Sequence, residues 1–443
     1  MARKMRDSGV EWIGEVPEGW EMKYLSQSVS QVKNRNDGLK ENNLLSLSYG
    51  KIKRKDIDSI GGLLPASFEG YNIIAPNDIV LRLTDLQNDQ HSLRVGLSHE
   101  NGIVTSAYTT IRPCDRINAV YLFYSLFAFD IAKGFYGMGA GVRQGLNYDE
   151  VKQIKLLSPP LHEQRRIADY LDEKCAAIDG AVGELKRGME DCKAWKKSLI
   201  FEVVTGKRRV GVFNAESQSR RGAEKMKSSG IPWIGDVPEG WKVMKLKYLI
   251  DVLPGYAFKS EGFDFSNGVR LLRGINVGVS SLKWDECVYW SSVINEELAA
   301  YQIQDGDLII GLDRPWIADG TRVCFAKKED LPCLLVQRVC RLRSLGGVIL
   351  QIVNYWLSSE GFESALSCET TGVSVPHISP GQIMEFRIAL PSLHEQRAIA
   401  DYLDEKCAAI DAMIAEKEAL IADLEAYKKS LIYETVTGKR EVL

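Results

Sequence analysis

Apolar residues recur at intervals of three and four along two long stretches of the chain, one in the middle and one at the end. Such spacing lines one face of an α-helix with apolar side chains, and a seven-residue repeat of this kind is typical of helices that pair. The second stretch is interrupted once, at Lys417, and the pattern runs through Trp195 in the first stretch and Tyr427 in the second. The two predicted apolar seams consist of Ile167, Leu171, Ile178, Leu185 and Leu199, and of Ile399, Leu403, Ile410, Ile414, Leu424 and Leu431.

Start and stop signals bound both helices. Pro159 and Pro160 precede the first helix, and SLHE at Ser392 to Glu395 has the pattern of a capping box. Gly206 and Gly438 mark the ends, because glycine commonly terminates helices. A helix of about 42 residues would be roughly 60 Å long and would need a packing partner. We predict that the two helices pair with each other in antiparallel fashion; the alternative is separate packing, on their own domains or in unrelated coiled coils.

The first part of each predicted helix has almost the same sequence. LHEQRRIADYLDEKCAAID, Leu161 to Asp179, recurs as LHEQRAIADYLDEKCAAID, Leu393 to Asp411, with one difference, Arg166 against Ala398. Two further copies, SGVEWIGEVPEGW and SGIPWIGDVPEGW, form a head at the start of each half. Between head and helix lie two bodies, residues 26–158 and 250–390, that share almost no residue-for-residue identity. The repeat predicts one structural frame, built twice, that carries two different binding domains.

Each body combines short strand patterns with an apolar helix. Strands are predicted within residues 102–113 and 306–312, and helices at residues 119–133 and 348–366. The predicted fold class is α+β: two mixed α/β domains separated by two long helices that pair as an antiparallel coiled coil, with a pseudo-two-fold internal repeat. The predicted boundaries are 1–158 for the first domain, 159–206 for the first long helix, 207–228 for a linker, 229–390 for the second domain and 391–443 for the second long helix.

The composition fits two globular domains. The chain has 443 residues, 45% of them hydrophobic and 26% charged, which is typical of packed domains of about 100 to 200 residues each. No apolar run approaches the roughly 20 residues that a membrane span requires. The first residues, MARKMRDSG, lack the apolar core of a signal peptide, so we expect a cytoplasmic protein. The nine cysteines form no Cys-x-x-Cys pair, and we predict reduced, packed thiols and no metal site.

The formal net charge of −3 argues against a simple basic nucleic-acid binder, so phosphate contacts would have to come from local clusters. A glycine-rich loop at residues 135–151 is the best candidate in the first body, because its glycines allow close backbone approach and it holds side chains that suit base edges. A turn with no ligand is an equally good interpretation of any single candidate. The candidate contacts are Lys51, Lys53, Arg54 and Lys55, then Arg143 and Gln144, and in the second body Arg273, Asn276, Arg314 and Arg322.

Catalytic motifs are incomplete throughout the sequence. His162-Glu163 and His394-Glu395 resemble the opening of a zinc-protease motif, but no second histidine follows at the required spacing. VTGK lacks the preceding glycines of a phosphate-binding loop, and GMGAG follows a helix rather than a strand. No catalytic residue is therefore predicted.

The two heads, the motifs GIVTSAY and GVRQGLNYDEV, and the tails PPLHEQRRIADYLDEK and PSLHEQRAIADYLDEK together resemble the DNA specificity subunit of a type I restriction-modification enzyme. The resemblance covers the whole chain. GDLIIGLDRPWIADGTRV, residues 306–323, also resembles a motif common in the target recognition domains of these subunits.

The resemblance implies a non-catalytic subunit. Each body would be a target recognition domain that reads one half of a split site in double-stranded DNA, and the long helices would set the spacer and bind two methylation subunits. S-adenosylmethionine, ATP and Mg would be used only by the partner subunits for methylation and restriction. The restriction subunits would join through the complex, and no membrane would be involved. The second glycine-rich loop has Val373 and Ser374 where the first has Val142 and Arg143, which weighs against a base contact repeated by symmetry. Two alternatives remain: a coiled-coil scaffold whose domains bind proteins, and a free-standing nuclease or methyltransferase, for which no motif is present.

Overall fold

The chain is described by a computed structural model, which covers residues 3–56, 67–86, 89, 93–138, 145–210, 225–291, 293–367 and 376–442. It divides into two compact units. The first unit comprises Met1–Lys186 together with Lys417–Leu443, and the second comprises Arg187–Glu416. Each unit therefore contains one body and a part of each long helix. Among the described residues, no helix is both long and apolar enough to cross a membrane.

The first unit contains twelve of the described strands and two α-helices before the first long helix. The strands are β1 Met5–Asp7, β2 Glu15–Pro17, β3 Glu21–Tyr24, β4 Val29–Gln31, β5 Leu45–Ser48, β6 Lys51–Arg54, β7 Asn72–Ile74, β8 Ile79–Leu81, β9 Val95–Leu97, β10 Gly102–Val104, β11 Thr109–Pro113 and β12 Lys155–Ser158. The helices are α1 Ala119–Ile131, α2 Tyr148–Val151 and the long helix α3 Leu161–Val204.

An antiparallel four-stranded sheet in the order β4-β11-β8-β9 organises the first unit. Helix α1 packs against it, because its residues are apolar nearly all round and its side chains are buried from Tyr121 to Asp130, apart from the half-buried Phe123. Strands β3 and β12 pair at the junction of body and long helix. The core cluster includes Trp20 of the head, Tyr121 of the body, Leu171 of α3 and Leu431 of the second long helix.

The second unit repeats this plan with other residues. Its strands are β13 Met226–Ser228, β14 Asp236–Pro238, β15 Lys242–Lys245, β16 Ile250–Pro254, β17 Phe263–Asp264, β18 Val269–Leu272, β19 Tyr289–Trp290, β20 Leu308–Gly311, β21 Trp316–Ile317, β22 Gly320–Thr321, β23 Val323–Phe325, β24 Cys333–Leu335, β25 Val339–Ser344 and β26 Arg387–Leu390. Its helices are α4 Glu296–Ala299, α5 Leu350–Leu357, α6 Glu360–Ser367, α7 Pro380–Glu385 and the long helix α8 Leu393–Val436.

The central sheet of the second unit has the order β16-β25-β20-β23, the counterpart of β4-β11-β8-β9, and β15 pairs with β26 as β3 pairs with β12. The central sheets of the two bodies therefore have the same strand order, although the sequences of the bodies differ. A second four-stranded sheet, β17-β19-β18-β24, is particular to this unit among the described residues.

The two long helices pair in antiparallel fashion within each unit. In the first unit Lys428 Nζ lies 2.6 Å from Asp179 Oδ1, and in the second unit Lys196 Nζ lies 2.6 Å from Asp411 Oδ2. These two ion pairs are counterparts, because Asp411 is the repeat of Asp179 and Lys428 is the repeat of Lys196. The predicted fold class is confirmed, including the antiparallel pairing.

The apolar seams serve both helix pairing and the domain cores. Of the predicted seam residues, Leu185, Ile414 and Leu424 are half-buried and the other eight are buried. Trp195 and Tyr427 are about half exposed, 48% and 49%. Each lies four heptads after the first seam residue of its helix, and a strict seven-residue repeat drifts by about 20° per heptad from the contact face of a straight helix. Other seam residues, such as Leu171 and Leu403, lie in the domain cores. The long helices thus pack on the bodies, which was the alternative to pairing, and also pair with each other.

Three local predictions differ from the structure. The helix predicted at residues 348–366 is broken into α5 and α6 at Ser358–Ser359, where the Ser359 hydroxyl donates to the Trp356 carbonyl. The predicted capping box at Ser392 is half formed: the Glu395 N–H donates to Ser392 Oγ, while the Glu395 carboxylate accepts from Trp241 and pairs with Arg209. Strand β13 lies inside the predicted linker, because it pairs with β14 of the second head.

Candidate nucleic-acid interface

The basic cluster of the first body lies on a β-hairpin formed by β5 and β6. Leu47 pairs with Ile52 on the inner face, where Gly96 leaves room for both side chains: a Cβ at Gly96 would lie 2.5 Å from Leu47 and 3.0 Å from Ile52. Tyr49 and Gly50 form the turn with φ of 47° and 75°, the signs required by the tight turns that match strand twist. The hairpin therefore packs flat on the body through its apolar face.

The charged side chains of this hairpin are engaged unequally. Arg54 forms an ion pair with Glu100, and the hydrogen bond from Arg54 lowers the pKa of the Glu100 carboxyl. Lys51 also forms an ion pair, with its Nζ 2.8 Å from Oδ2 of Asp179 in α3. Lys53 and Lys55 are exposed, and neither forms an ion pair within the described part of the chain. Tyr49 is 75% exposed at the turn. Two lysines and an aromatic ring are thus available to a polyanion.

Arg143 and Gln144, the predicted base contacts of the first body, lie outside the described residues. The segment that follows them is anchored: the Leu146 N–H donates to the Leu83 carbonyl, just beyond β8. In the second unit the Ile378 N–H donates to the Leu312 carbonyl, just beyond β20. The described flanks of both glycine-rich loops therefore contact equivalent places, the carboxyl ends of β8 and β20.

Two predicted contacts of the second body have internal partners. Asn276 is 1% exposed, and its amide nitrogen donates to the carbonyls of Lys283 and Glu286. Arg273 is half-buried, and its Nη2 donates to the same Glu286 carbonyl. These bonds occupy both amide hydrogens of Asn276 and one donor of Arg273, which supports a loop-forming role for both residues.

Arg322 has a similar structural role, and it has a counterpart in the first unit. Its Nε donates to the Val277 carbonyl and its Nη1 to the Asp313 carbonyl, and burial lowers its pKa. Arg94, which immediately precedes β9 as Arg322 precedes β23, is fully buried and its Nη1 donates to the Thr84 carbonyl. Each arginine braces the loop that follows the central strand of its sheet, β8 or β20.

Arg314 is exposed on the braced loop of the second unit, beside a cluster of Asp313, Arg338 and His377 that the sequence did not predict. The carboxylate of Asp313 accepts from His377, with Nδ1 2.7 Å from Oδ1, and the Nη1 of Arg338 lies 3.4 Å from the same oxygen. Arg338 and His377 come from different loops, so no local motif could have joined them to Arg314. His377 does lie in the second glycine-rich loop, which was the available signal.

Within the described ranges, no group of three or more His, Cys, Asp or Glu residues is placed to hold a metal ion. The eight described cysteines are all free, and burial raises the pKa of Cys324, Cys333 and Cys340 to about 12. Such thiols behave as packing groups rather than nucleophiles.

Comparison with known proteins connects this architecture to one family. A family model described as the type I restriction modification DNA specificity domain matches residues 238–422. The chain is 28% identical over 430 residues to the type I restriction enzyme MjaVIII specificity subunit of Methanocaldococcus jannaschii, covering 96% of this chain and 94% of that protein. It is 34% identical over 171 residues to the EcoAI specificity subunit of Escherichia coli, covering 38% of this chain and 29% of that protein.

A solved structure shares the fold. It comes from a study of complex assembly and conformational transition of the type I R-M system, and it matches with a TM-score of 0.65 at 18% identity over 96% of this chain and 99% of that chain. The likeness extends over both bodies and both long helices.

Proposed function

Because this chain belongs to the family of type I restriction-modification specificity subunits, we propose that it recognises DNA sequence for such a complex, each body contacting one half of a bipartite target. One observation carries the proposal: the two units share a sheet order and a helix frame, while the loops and side chains beyond the sheets differ. A common frame with unlike loops suits one task performed on two different sequences.

Phosphate contacts in the first body come, in this proposal, from the β5–β6 hairpin. Lys53 and Lys55 are exposed cations without ion pairs among the described residues, and Tyr49 offers a ring at the turn. Lysine neutralises phosphates in any sequence, so these contacts would position the body rather than select bases. The near-neutral net charge of the chain is compatible with such a role if partner subunits share the phosphate contacts.

The long helices are the proposed docking surface for two methylation subunits. Trp195 and Tyr427 occupy equivalent positions of the repeat, one in each unit, and both are about half exposed. Exposed aromatic residues are enriched at protein interfaces, and one such position per unit suits two copies of the same partner. S-adenosylmethionine, ATP and Mg would serve the partner subunits in the cytoplasm, and this chain would be non-catalytic.

Methylome mapping tests the proposal. The chain is co-expressed with a methylation subunit of its own system in a host without that system, and methylated adenines are mapped across the genome. We expect one split motif with a fixed spacer. Assembly of an active complex that adds no new methylated motif would contradict the proposal.

A DNA titration of the assembled complex separates DNA recognition from a protein scaffold. Replacing both Lys53 and Lys55 by Ala should reduce the slope of log affinity against log salt by about 2, since each phosphate contact contributes about 0.9. The control is Lys4→Ala, at an exposed lysine that lies outside the hairpin and the long helices. A scaffold whose bodies bind only proteins would show no sequence-specific DNA binding in either form.

A further inference from the structure

A polar cluster at the end of β20 has no counterpart among the described residues of the first unit, and its side chains suit a purine base. We propose that Arg338 and Arg314, with Asp313 and His377 as positioning residues, contact a guanine in the half-site of the second body. The inference rests on the proposed function and deepens it, since it assigns a base contact to named residues.

Backbone hydrogen bonds join three separate segments at this point. The Leu312 N–H donates to the Arg338 carbonyl at 2.9 Å, the Ile378 N–H to the Leu312 carbonyl at 2.9 Å, and the Arg314 N–H to the Pro376 carbonyl at 2.8 Å. Arg322 braces the same loop from the interior through the Asp313 carbonyl at 3.0 Å. The cluster is therefore held on a rigid base, as sequence discrimination requires.

Both arginines have left-handed backbone conformations, with φ of 43° at Arg314 and 70° at Arg338. Residues other than glycine, asparagine and aspartate seldom adopt this region, and such conformations persist where the surrounding structure enforces them, commonly at functional sites. Because two neighbouring loops both adopt this unfavourable conformation at an arginine, we infer that the surrounding structure fixes the backbone that orients these two side chains.

The side chains of the cluster leave guanidinium donors available. Asp313 Oδ1 lies 2.7 Å from His377 Nδ1 and 3.4 Å from Arg338 Nη1, and the same Nη1 lies 3.4 Å from His377 Nδ1. Nε and Nη2 of Arg338 have no partner within the described ranges, and 58% of the side chain is exposed. A guanidinium with two free donors matches the O6 and N7 acceptors of guanine.

At the described positions of the first unit that correspond to the cluster, its side chains are absent. The strand pairings of the two sheets align β8 with β20, β9 with β23 and β11 with β25. In this alignment the residues that correspond to Asp313, Arg314, Arg338 and His377 are Thr84, Asp85, Ala107 and Gly145. Asp85 even has the same backbone sign as Arg314, with φ of 60°, but the opposite charge. Since the shared fold forms without these groups, the cluster serves the ligand of the second body rather than folding.

The test uses the assembled methylation complex and the motif it methylates. Arg338→Ala should relax one position of the second half-site, with methylation of the guanine-containing site falling about tenfold or more relative to substituted sites, while the first half-site stays unchanged. Arg338→Lys should not restore discrimination, because lysine lacks the bidentate fork. Asp313→Asn should relax the same position to a smaller extent, as a residue that acts by positioning Arg338.

Arg387→Ala, at an exposed arginine of β26, is the control and should leave the motif unchanged. A uniform loss of methylation in Arg338→Ala that Arg338→Lys reverses, with no change of motif, would mean a phosphate contact and would overturn the inference. An unchanged motif and rate in both Arg338→Ala and Arg314→Ala would also overturn it. If the unsubstituted complex yields no split motif, the proposed function fails instead.

Discussion

Single side chains explain why the HEQ sequence recurs at the start of both long helices. Glu163 accepts from Trp20 Nε1 at 3.1 Å, as Glu395 accepts from Trp241 at 3.2 Å. Gln164 is 1% exposed: its Oε1 accepts from the N–H of Asn118 at the start of α1, and its Nε2 donates to the Pro159 carbonyl, both at 2.8 Å. Gln396 repeats these bonds with Ile349 and Pro391. The motif therefore connects the start of each long helix to the head and to the N-cap residue of the apolar helix of the body, and it is not a degenerate metal site.

Replacing Gln164 by Leu should lower the free energy of unfolding by about 1–3 kcal/mol, because it leaves a buried N–H and a buried carbonyl without partners. Gln164→Glu tests the donor alone, since the carboxylate retains an acceptor but cannot donate to Pro159. Thermal unfolding of the full chain measures both effects, with the exposed neighbour Arg165→Leu as control. Equal stability of Gln164→Leu and Arg165→Leu would contradict the structural role.

At the scale of elements, the long helices are held within each unit by contacts that the repeat generates twice. Besides the ion pairs of Asp179 and Asp411, the Tyr124 hydroxyl of α1 donates to Asp172 of α3, and Tyr355 of α5 donates to Asp404 of α8. Burial raises the pKa of both tyrosines, so the hydroxyls stay protonated and donate. At their ends, Gly206 and Gly438 both have φ of 75° and lie against Pro238 and Pro17, where a Cβ would lie 2.5 Å from the ring.

The pairing of the helices predicts a pH dependence at Asp179. Burial raises the pKa of this carboxyl, but hydrogen bonds from Lys428 and Lys51 outweigh burial and leave the pKa below its usual value. A depressed carboxyl pKa contributes stability above about pH 4, which is lost as the pH falls through the folded-state pKa. Asp179→Asn should therefore lower stability at pH 7 by a few tenths to about 1 kcal/mol, given the partial exposure of the pair.

The difference between Asp179→Asn and the unsubstituted chain should shrink as the pH is lowered below about 4, which chemical denaturation at several pH values measures. Asp169→Asn is the matched control, because Asp169 is exposed on the same helix. A difference that stays constant from pH 7 to pH 3 would show that the lost ion pairs are not the cause.

On the scale of the whole molecule, the frame recurs with residues drawn from distant parts of the chain. The first unit is completed by residues 417–443, which contact both its head and α3. The Tyr433 hydroxyl donates to the Trp12 carbonyl of the head at 2.9 Å, and Arg166 of α3 donates to the Val442 carbonyl at 2.9 Å. In the second unit Gly206 meets Trp241 as Gly438 meets Trp20. Each body is thus held by its own copy of one frame.

Independent frames predict independent half-sites. Exchanging residues 26–158 for the first body of another family member should change one half of the methylated motif and leave the other intact. The donor body should keep residues equivalent to Tyr124 and Asn118, whose bonds to α3 hold the body on the helix. Methylome mapping checks the outcome, with the exchange of residues 250–390 as the reciprocal control. A change in both halves after either exchange would contradict separate contacts.

Most of the architecture followed from the sequence because it depends on periodicity and copying. Heptad spacing, prolines and terminal glycines predicted both long helices to within a few residues, and the near-identical tails predicted that they pair. Body strands and α1 followed from β-branched runs and an apolar run. The break between α5 and α6 did not, because a serine pair inside an apolar pattern is compatible with a continuous helix until tertiary contacts act on it.

The sequence by itself determined the repeat, the frame and the family resemblance, since these are properties of residue order. Only the tertiary structure decided which polar and charged residues are available for a ligand: Asn276 and Arg322 donate to internal carbonyls, while Lys53, Arg314 and Arg338 are exposed. It also joined Asp313, Arg338 and His377, which lie up to 64 residues apart. The reason is physical. Helical periodicity is a local property, whereas burial and side-chain proximity arise when distant segments pack together.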